Sequence, residues 1–118
     1  MKKILVVEED EFLGLSMKEI IKSYGFEADW IQDPAEAYEK LKTHEKYDIV
    51  LCDTKMPGMK GYELKKRLDD EGIEYRFIGM SADSKYEEKW KEIGCEFIEK
   101  GGISFFSDIK LIMEELKK

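Results

Sequence analysis

The chain has 118 residues with 27 acidic and 20 basic side chains, which leave a net charge of −7. The length fits one domain of the common size, and the 42% of hydrophobic residues can form a core. The acidic excess argues against direct binding to nucleic acid, because duplex affinity depends on cationic contacts to phosphate, and it disfavours anionic membrane surfaces. No apolar run approaches the roughly 20 residues of a membrane-spanning helix. We therefore expect a single cytoplasmic domain over residues 1–118.

Short continuous apolar runs alternate along the chain with apolar residues at helical spacing. The first run, 4–7, is typical of a strand that is buried on both faces. Asp33, Pro34 and Glu36 fit the cap, first and third positions of the second helix. Five strands alternating with five helices predict an α/β fold, a doubly wound parallel sheet with helices on both faces. The other predicted strands are 26–31, 49–52, 77–80 and 95–98, and the predicted helices lie within 13–24, 37–41, 64–68, 86–93 and 109–116.

Polar residues directly follow the predicted strands, at the edge where open parallel sheets bind ligands. Four acids, residues 8–11, follow the first strand, and Asp53 follows the third. Clustered carboxylates raise each other's pKa, and a bound divalent cation relieves this repulsion, with hard oxygen ligands favouring Mg²⁺. Ser81 follows the fourth strand and Lys100 the fifth, a pair suited to an anion with tetrahedral oxygens. The pattern predicts phosphoryl transfer onto a carboxylate.

Three sequence blocks carry a resemblance to a known family. They are ILVVEED at 4–10, DIVLCDTKMPGMKG at 48–61 and MSA at 80–82, and Lys100 completes the set. Over essentially its whole length the chain resembles a response-regulator receiver domain of two-component signalling. The resemblance implies a flavodoxin-like sheet in the order 2-1-3-4-5 and a stand-alone, chemotaxis-type receiver, a signalling protein rather than an enzyme. It also implies a histidine kinase or phosphotransfer protein as phosphoryl donor and a downstream protein partner.

The resemblance assigns the phosphoryl site position by position. Asp53 matches the aspartate that accepts the phosphoryl group in a Mg²⁺-dependent reaction. Ser81 and Lys100 match the hydroxyl and the amine that contact the phosphoryl oxygens. In the acidic pair, the second acid matches the direct metal ligand and the first reaches the metal through water. The implied metal ligands are the carboxylates of Glu8, Glu9 and Asp53 and the backbone carbonyl of Lys55.

The resemblance also implies switch and modulating residues. Ser81 and Phe97 match the pair that responds to phosphorylation and alters the surface of helix 4, strand 5 and helix 5. Lys55 and Asp83 flank the phosphoryl site, and we expect these opposite charges to pair across its mouth and to modulate its lifetime. Because Phe97 lacks the hydroxyl of a tyrosine, we expect it to prefer the buried orientation and the output to depend less on phosphorylation.

Two departures from the family pattern carry further expectations. Both members of the acidic pair are glutamates, and the additional methylene moves the Glu9 carboxylate out by about 1.5 Å. Either the backbone adjusts, the ligand becomes water-mediated, or the affinity for Mg²⁺ falls. Where the family carries proline after the lysine, this chain has Gly101, so we predict a trans Lys100–Gly101 bond and a looser loop.

Two other functions remain open from the sequence. Glu9 and the missing proline are compatible with an interaction module that is not phosphorylated. A flavin- or nucleotide-binding domain has the same fold, but the four acids after the first strand would repel a phosphate. Cys52 and Cys95 are expected to remain unpaired, since an intervening strand separates them by more than a disulfide spans. Trp90 is expected to be a helix-packing residue.

Overall fold

The computed structural model describes residues 2–118 as five parallel strands and five α-helices in strict alternation. The strand order is β2-β1-β3-β4-β5, so the predicted doubly wound sheet is confirmed. The strands are β1 Lys3–Val7, β2 Glu27–Ile31, β3 Ile49–Asp53, β4 Phe77–Ser81 and β5 Glu96–Glu99. The helices are α1 Glu11–Ser23, α2 Pro34–Leu41, α3 Gly61–Asp70, α4 Glu87–Glu92 and α5 Phe105–Lys117.

The parallel register brings the carboxyl ends of the strands to one edge of the sheet. Val7 is opposite Ile31 of β2 and Cys52 of β3. At the other side of the sheet, Ser81 of β4 is opposite Glu99 of β5. The segments that leave these strands therefore start close together, which places the predicted polar residues at a common edge.

Alternate strand residues point to opposite faces of the sheet and form two apolar layers. The layer under α1 and α5 contains Ile4 and Val6 of β1, and the layer under α2, α3 and α4 contains Leu5 and Val7. All four of these side chains are inaccessible to solvent. Burial on both faces explains why β1 reads in the sequence as an unbroken apolar run.

Helix boundaries follow local signals in most places. The Asp33 carboxylate accepts a hydrogen bond from the Ala35 amide at 3.0 Å and caps α2, with Pro34 in its first turn. The predicted helix within 86–93 is instead divided into a 3₁₀ turn, Ser84–Tyr86, and the six-residue α4. The Asp83 carboxylate accepts from the Lys85 amide at 3.0 Å, and this local bond starts the tighter turn.

Three further expectations, on the Lys100–Gly101 bond, the two cysteines and Trp90, are confirmed. Across residues 2–118 every peptide bond is trans, including Lys100–Gly101, and Gly101 adopts a φ of 78° that favours glycine. Cys52 and Cys95 are both free thiols. Trp90 is completely buried in the layer under α2, α3 and α4. None of the helices within residues 2–118 has the length and apolar character needed to cross a bilayer.

Candidate functional site

Asp53 lies at the end of β3 with 5% of its surface exposed. Its Oδ1 accepts a hydrogen bond from the Thr54 amide at 2.9 Å and lies 3.0 Å from the Lys100 Nζ. Among residues 2–118, the polar contacts of this carboxylate all fall on Oδ1. Oδ2 is therefore the oxygen available to a ligand or to an electrophile.

Lys100 joins two carboxylates at the edge of the sheet. Its Nζ donates to both carboxylate oxygens of Glu8, at 2.9 and 3.1 Å, in addition to its contact with Asp53. Burial lowers the pKa of Lys100, but the hydrogen bond to Glu8 and the charges of Asp53 and Glu8 together raise it above its ordinary value. The amine therefore stays protonated and partly offsets the repulsion between the two acids.

Glu8 is fully buried, which is unusual for a carboxylate. Burial is the main cause that raises its pKa to about 7, and the nearby charge of Asp53 raises it further. The Asp10 amide, which donates to Glu8 Oε2 at 3.0 Å, and the Lys100 ammonium oppose this shift. The charge state of Glu8 is therefore sensitive to any change in the number of cations at the site.

The other acids after β1 have different environments. Asp10 caps α1, because its Oδ2 accepts from the Leu13 amide at 2.8 Å. Glu9 and Glu11 are exposed, and both line the cavity at this edge of the sheet. The structure therefore separates the four consecutive acids into a buried partner of Lys100, a helix cap and two exposed carboxylates.

The predicted hydroxyl and amine lie on neighbouring strands. The Ser81 side chain is buried, and its Oγ accepts from the Asp83 amide at 3.0 Å. The backbone amide of Lys100 donates to the Ser81 carbonyl at 2.8 Å, which ties the ends of β4 and β5 together. This bond fixes the separation between the hydroxyl and the start of the loop that carries the amine.

The three remaining predicted residues surround this centre. Lys55 is exposed and lines the cavity from the β3 side. The expected ion pair between Lys55 and Asp83 is not formed, because the Asp83 carboxylate lies 3.5 Å from Lys85 Nζ instead. The hydrogen bond from the Lys85 amide is the main cause that lowers the pKa of Asp83. Phe97 is half-buried on β5 and packs against the layer that contains Trp90. Its ring is therefore turned toward the core without being fully enclosed.

An open cavity of about 830 Å³ collects these side chains. Within residues 2–118, no three His, Cys, Asp or Glu side chains are grouped closely enough to hold a metal ion by themselves. The acids present are nevertheless hard oxygen donors of the kind that Mg²⁺ prefers. The cavity is lined by Glu8, Glu9, Asp10, Glu11, Gln32, Asp53, Lys55, Ser81, Ala82, Asp83, Ser84, Glu99 and Lys100.

Thr54 and Trp90 were missed by the sequence analysis as neighbours of the site. Trp90 donates its indole N–H to Thr54 Oγ1 at 2.8 Å, and that hydroxyl donates to the Met80 carbonyl at 2.7 Å. A Cβ added at Gly79 would lie 2.2 Å from Trp90 ring atoms. A glycine inside a buried strand is the one sequence signal that a bulky group approaches there.

Comparison with known protein families shows which family the chain matches. Residues 4–101 match the model of the response regulator receiver domain. The chain belongs to this family. Receiver domains are phosphoacceptor switches of two-component systems, and they are signalling domains rather than enzymes in the usual sense. Within the family they interact with sensor histidine kinases and with downstream partners.

Curated relatives are longer than this chain. Response regulator RppA of Synechocystis sp. is 31% identical over 81 residues, which are 68% of this chain and 35% of RppA. The autoinducer 2 sensor kinase/phosphatase LuxQ of Vibrio vulnificus is 33% identical over 66 residues, which are 56% of this chain and 8% of LuxQ. The chain thus spans about a third of RppA and a small part of LuxQ.

Solved structures share the fold over nearly the whole chain. The response regulator TrrA from Thermotoga maritima, solved in complex with Mg²⁺-BeF, superimposes with a TM-score of 0.82 at 27% identity. The alignment covers 98% of this chain and 99% of TrrA. The Francisella response regulator 1452 receiver domain has a TM-score of 0.81 at 23% identity with complete coverage of both chains, and it shows the shared fold.

Proposed function

We propose that this chain is a phosphoacceptor switch in which Asp53 receives a phosphoryl group from a phosphohistidine in a Mg²⁺-dependent reaction. The observation that carries the proposal is the environment of one carboxylate at the floor of an open cavity. Oδ1 of Asp53 is held by the Thr54 amide and the Lys100 ammonium. Held by one oxygen, the carboxylate can present the other to phosphorus without losing its orientation.

The chemistry follows from the positions of three side chains. An oxygen of Asp53 attacks phosphorus, the phosphorus–nitrogen bond of the donor breaks, and the imidazole leaves with the bonding electron pair. Lys100 supplies positive charge, and the buried Ser81 hydroxyl supplies a hydrogen-bond donor for the phosphoryl oxygens. Water later attacks phosphorus, the bond between phosphorus and the Asp53 oxygen breaks, and inorganic phosphate leaves while Asp53 returns to its carboxylate form.

The acids of this chain fit Mg²⁺ by their donor chemistry. Glu9 and Asp53 would bind it directly together with the Lys55 carbonyl, and Glu8 would act through water. All four residues line the same cavity, and the Mg²⁺-BeF complex of TrrA supports a metal site in a relative of the same fold. The bound ion would offset the negative charge of the phosphoryl oxygens beside these carboxylates.

The proposal also assigns the domain, the output surface, the rim of the cavity and the partners. The receiver unit covers residues 1–118, and Ser81 and Phe97 transmit phosphorylation to the surface of α4, β5 and α5, where a downstream protein binds. Lys55 and Asp83 modulate the lifetime of the phosphoryl group from the rim of the cavity. A histidine kinase or phosphotransfer protein is the donor. Neither nucleic acid nor a membrane is a direct partner, and the location is the cytoplasm.

Binding of beryllofluoride, an analogue of the phosphoryl group, tests this proposal. We expect ¹H–¹⁵N correlation spectra to shift around Asp53, Ser81 and Lys100 when beryllofluoride and Mg²⁺ are added together. The matched variant Asp53→Asn keeps the size of the side chain but removes its charge, and it should show no such shift. An unchanged wild-type spectrum would contradict the proposal and favour an interaction module that is not phosphorylated.

A further inference from the structure

Trp30 in β2 and Gln32, which directly follows β2, hold the backbone of the loop that carries the acidic pair. Trp30 donates its indole N–H to the Glu8 carbonyl at 2.8 Å, and Gln32 donates from Nε2 to the Glu9 carbonyl at 2.7 Å. Between them, the Glu8 amide donates to the Ile31 carbonyl at 3.1 Å. Residues 30–32 thus form hydrogen bonds with the backbone of residues 8 and 9 in the loop.

The Trp30 indole is itself held in place by α1. A Cβ added at Gly14 would lie 2.2 Å from the Trp30 Nε1, so the ring occupies the space that a side chain would need. Glycine inside a helix lowers stability relative to alanine, and close contact with the ring accounts for its presence here. The donor to the Glu8 carbonyl therefore packs against α1 on its opposite side, while part of its ring remains in contact with solvent.

The other end of the loop is fixed as well. The Asp10 amide donates to Glu8 Oε2 at 3.0 Å, and the Asp10 carboxylate accepts from the Leu13 amide at 2.8 Å. Glu9 lies between these anchored residues, and its side chain is exposed at the cavity. With the backbone bound on both sides, the reach of the Glu9 carboxylate depends on its own torsion angles.

We propose that Trp30 and Gln32 are positioning residues that hold the 8–10 loop and thereby fix where the Glu9 carboxylate can bind a divalent cation. The inference rests on the proposed function, since it assigns Glu9 to Mg²⁺. Of the three ways to accommodate a glutamate here, backbone adjustment would break the two side-chain hydrogen bonds from Trp30 and Gln32, so these bonds disfavour it. The Gln32 amide binds the Glu9 carbonyl, and we assign its effect to this contact with the loop.

The composition of the chain supplies an unusually clear probe. Gln32 is the only glutamine, and the chain contains no asparagine. Its amide therefore gives the only side-chain carboxamide signal in a ¹H–¹⁵N correlation spectrum. We expect added Mg²⁺ to shift this signal and the indole N–H signal of Trp30, and both shifts should follow the same binding curve. The Trp30→Phe variant identifies the indole signal, because that signal is then lost.

Calorimetric titration with Mg²⁺ measures the effect of the loop contacts. Gln32→Met retains the length of the side chain but removes the donor, and we expect it to weaken Mg²⁺ binding about three- to tenfold, as for the loss of one hydrogen bond. Trp30→Phe should act in the same direction. Thr43→Val is the matched control, because it removes a side-chain bond to the Lys40 carbonyl that is also 2.7 Å long but lies after α2.

A double-mutant cycle separates positioning from a general structural role. If Gln32 acts through Glu9, Gln32→Met should have no effect on Mg²⁺ affinity in a Glu9→Gln background. An equal loss in both backgrounds, or unchanged affinity in Gln32→Met, would overturn the inference. If the wild-type chain binds no Mg²⁺, the proposed metal role fails, and hydrogen exchange of the metal-free loop decides the positioning. Gln32→Met should speed exchange at residues 8–11, and equal rates would overturn it.

Discussion

The two tryptophans lie on opposite faces of the sheet, and each donates its indole N–H to a residue beside the same site. Trp90 is fully buried under α4 and donates to Thr54 Oγ1, next to Asp53. Trp30 is half-buried on the edge strand β2 and donates to the Glu8 carbonyl. Both bonds are 2.8 Å long, but the buried ring fills the core and the edge ring holds a loop. We therefore expect Trp90 to govern stability and Trp30 to govern the metal side of the site.

Replacement of each tryptophan by alanine should give the largest difference in unfolding free energy between the two regions. Trp90→Ala should lower the free energy of unfolding by about 3–5 kcal/mol, because removal of this fully buried ring leaves a cavity beside Gly79 and Gly61, which have no side chains to fill it. Trp30→Ala should cost clearly less, since part of its ring is already in water. Urea unfolding followed by circular dichroism measures both values. Equal losses would contradict the distinction.

Adding a methyl group under each ring sharpens the comparison. Gly79→Ala places a Cβ 2.2 Å from the Trp90 ring in a closed layer, and it should destabilise the protein by about 1–3 kcal/mol or more. Gly14→Ala meets the Trp30 ring at the same distance, but that ring can move toward solvent and alanine favours the helix by about 1 kcal/mol. We expect a small net change in unfolding free energy for Gly14→Ala. A larger loss there than at Gly79 would show that the edge ring is the more tightly packed.

The hydroxyl that accepts from Trp90 can be removed with little change of shape. Thr54→Val leaves the indole N–H and the Met80 carbonyl without their buried partner, which should cost about 1–3 kcal/mol. Thr54→Ser retains the hydroxyl and is the matched control, and it should lose less. Unfolding in urea compares the two variants, and an equal loss would mean that the methyl group rather than the hydrogen bond is responsible.

The pH dependence of stability reports on Glu8, whose carbonyl binds Trp30 and whose carboxylate binds Lys100. Burial raises its folded-state pKa to about 7 from an ordinary value of 4.5, so between these values the folded protein holds a proton that the unfolded chain has lost. The contribution of Glu8 to the free energy of unfolding is therefore fully present below about pH 4.5 and declines as the pH rises to about 7. The decline should be on the order of 1–3 kcal/mol. Glu8→Gln should flatten that part of the profile, and an unchanged slope would contradict the assignment.

The sequence predicted the parts of this architecture that depend on short-range pattern. Apolar runs located the strands, and the strand ends located Glu8, Asp53, Ser81 and Lys100 at one edge, as the structure shows. The cap at Asp33 was also predictable, because its bond spans two residues.

Contacts between distant residues could not be predicted in the same way. Thr54 and Trp90 are 36 positions apart, and Trp30 and Glu8 are 22 apart, so their bonds depend on the packed sheet. The division of the predicted helix at Asp83 also escaped the sequence analysis, since an apolar stripe does not reveal a competing side-chain bond.

Covalent phosphorylation at Asp53 is the central claim, and mass spectrometry of the chain after incubation with acetyl phosphate and Mg²⁺ tests it most directly. We predict that the wild-type chain gains one phosphoryl group, located by proteolysis to the peptide that contains Asp53. The gain should disappear in Asp53→Asn and when the metal is chelated. No gain in the wild-type chain, or an equal gain in Asp53→Asn, would contradict the account.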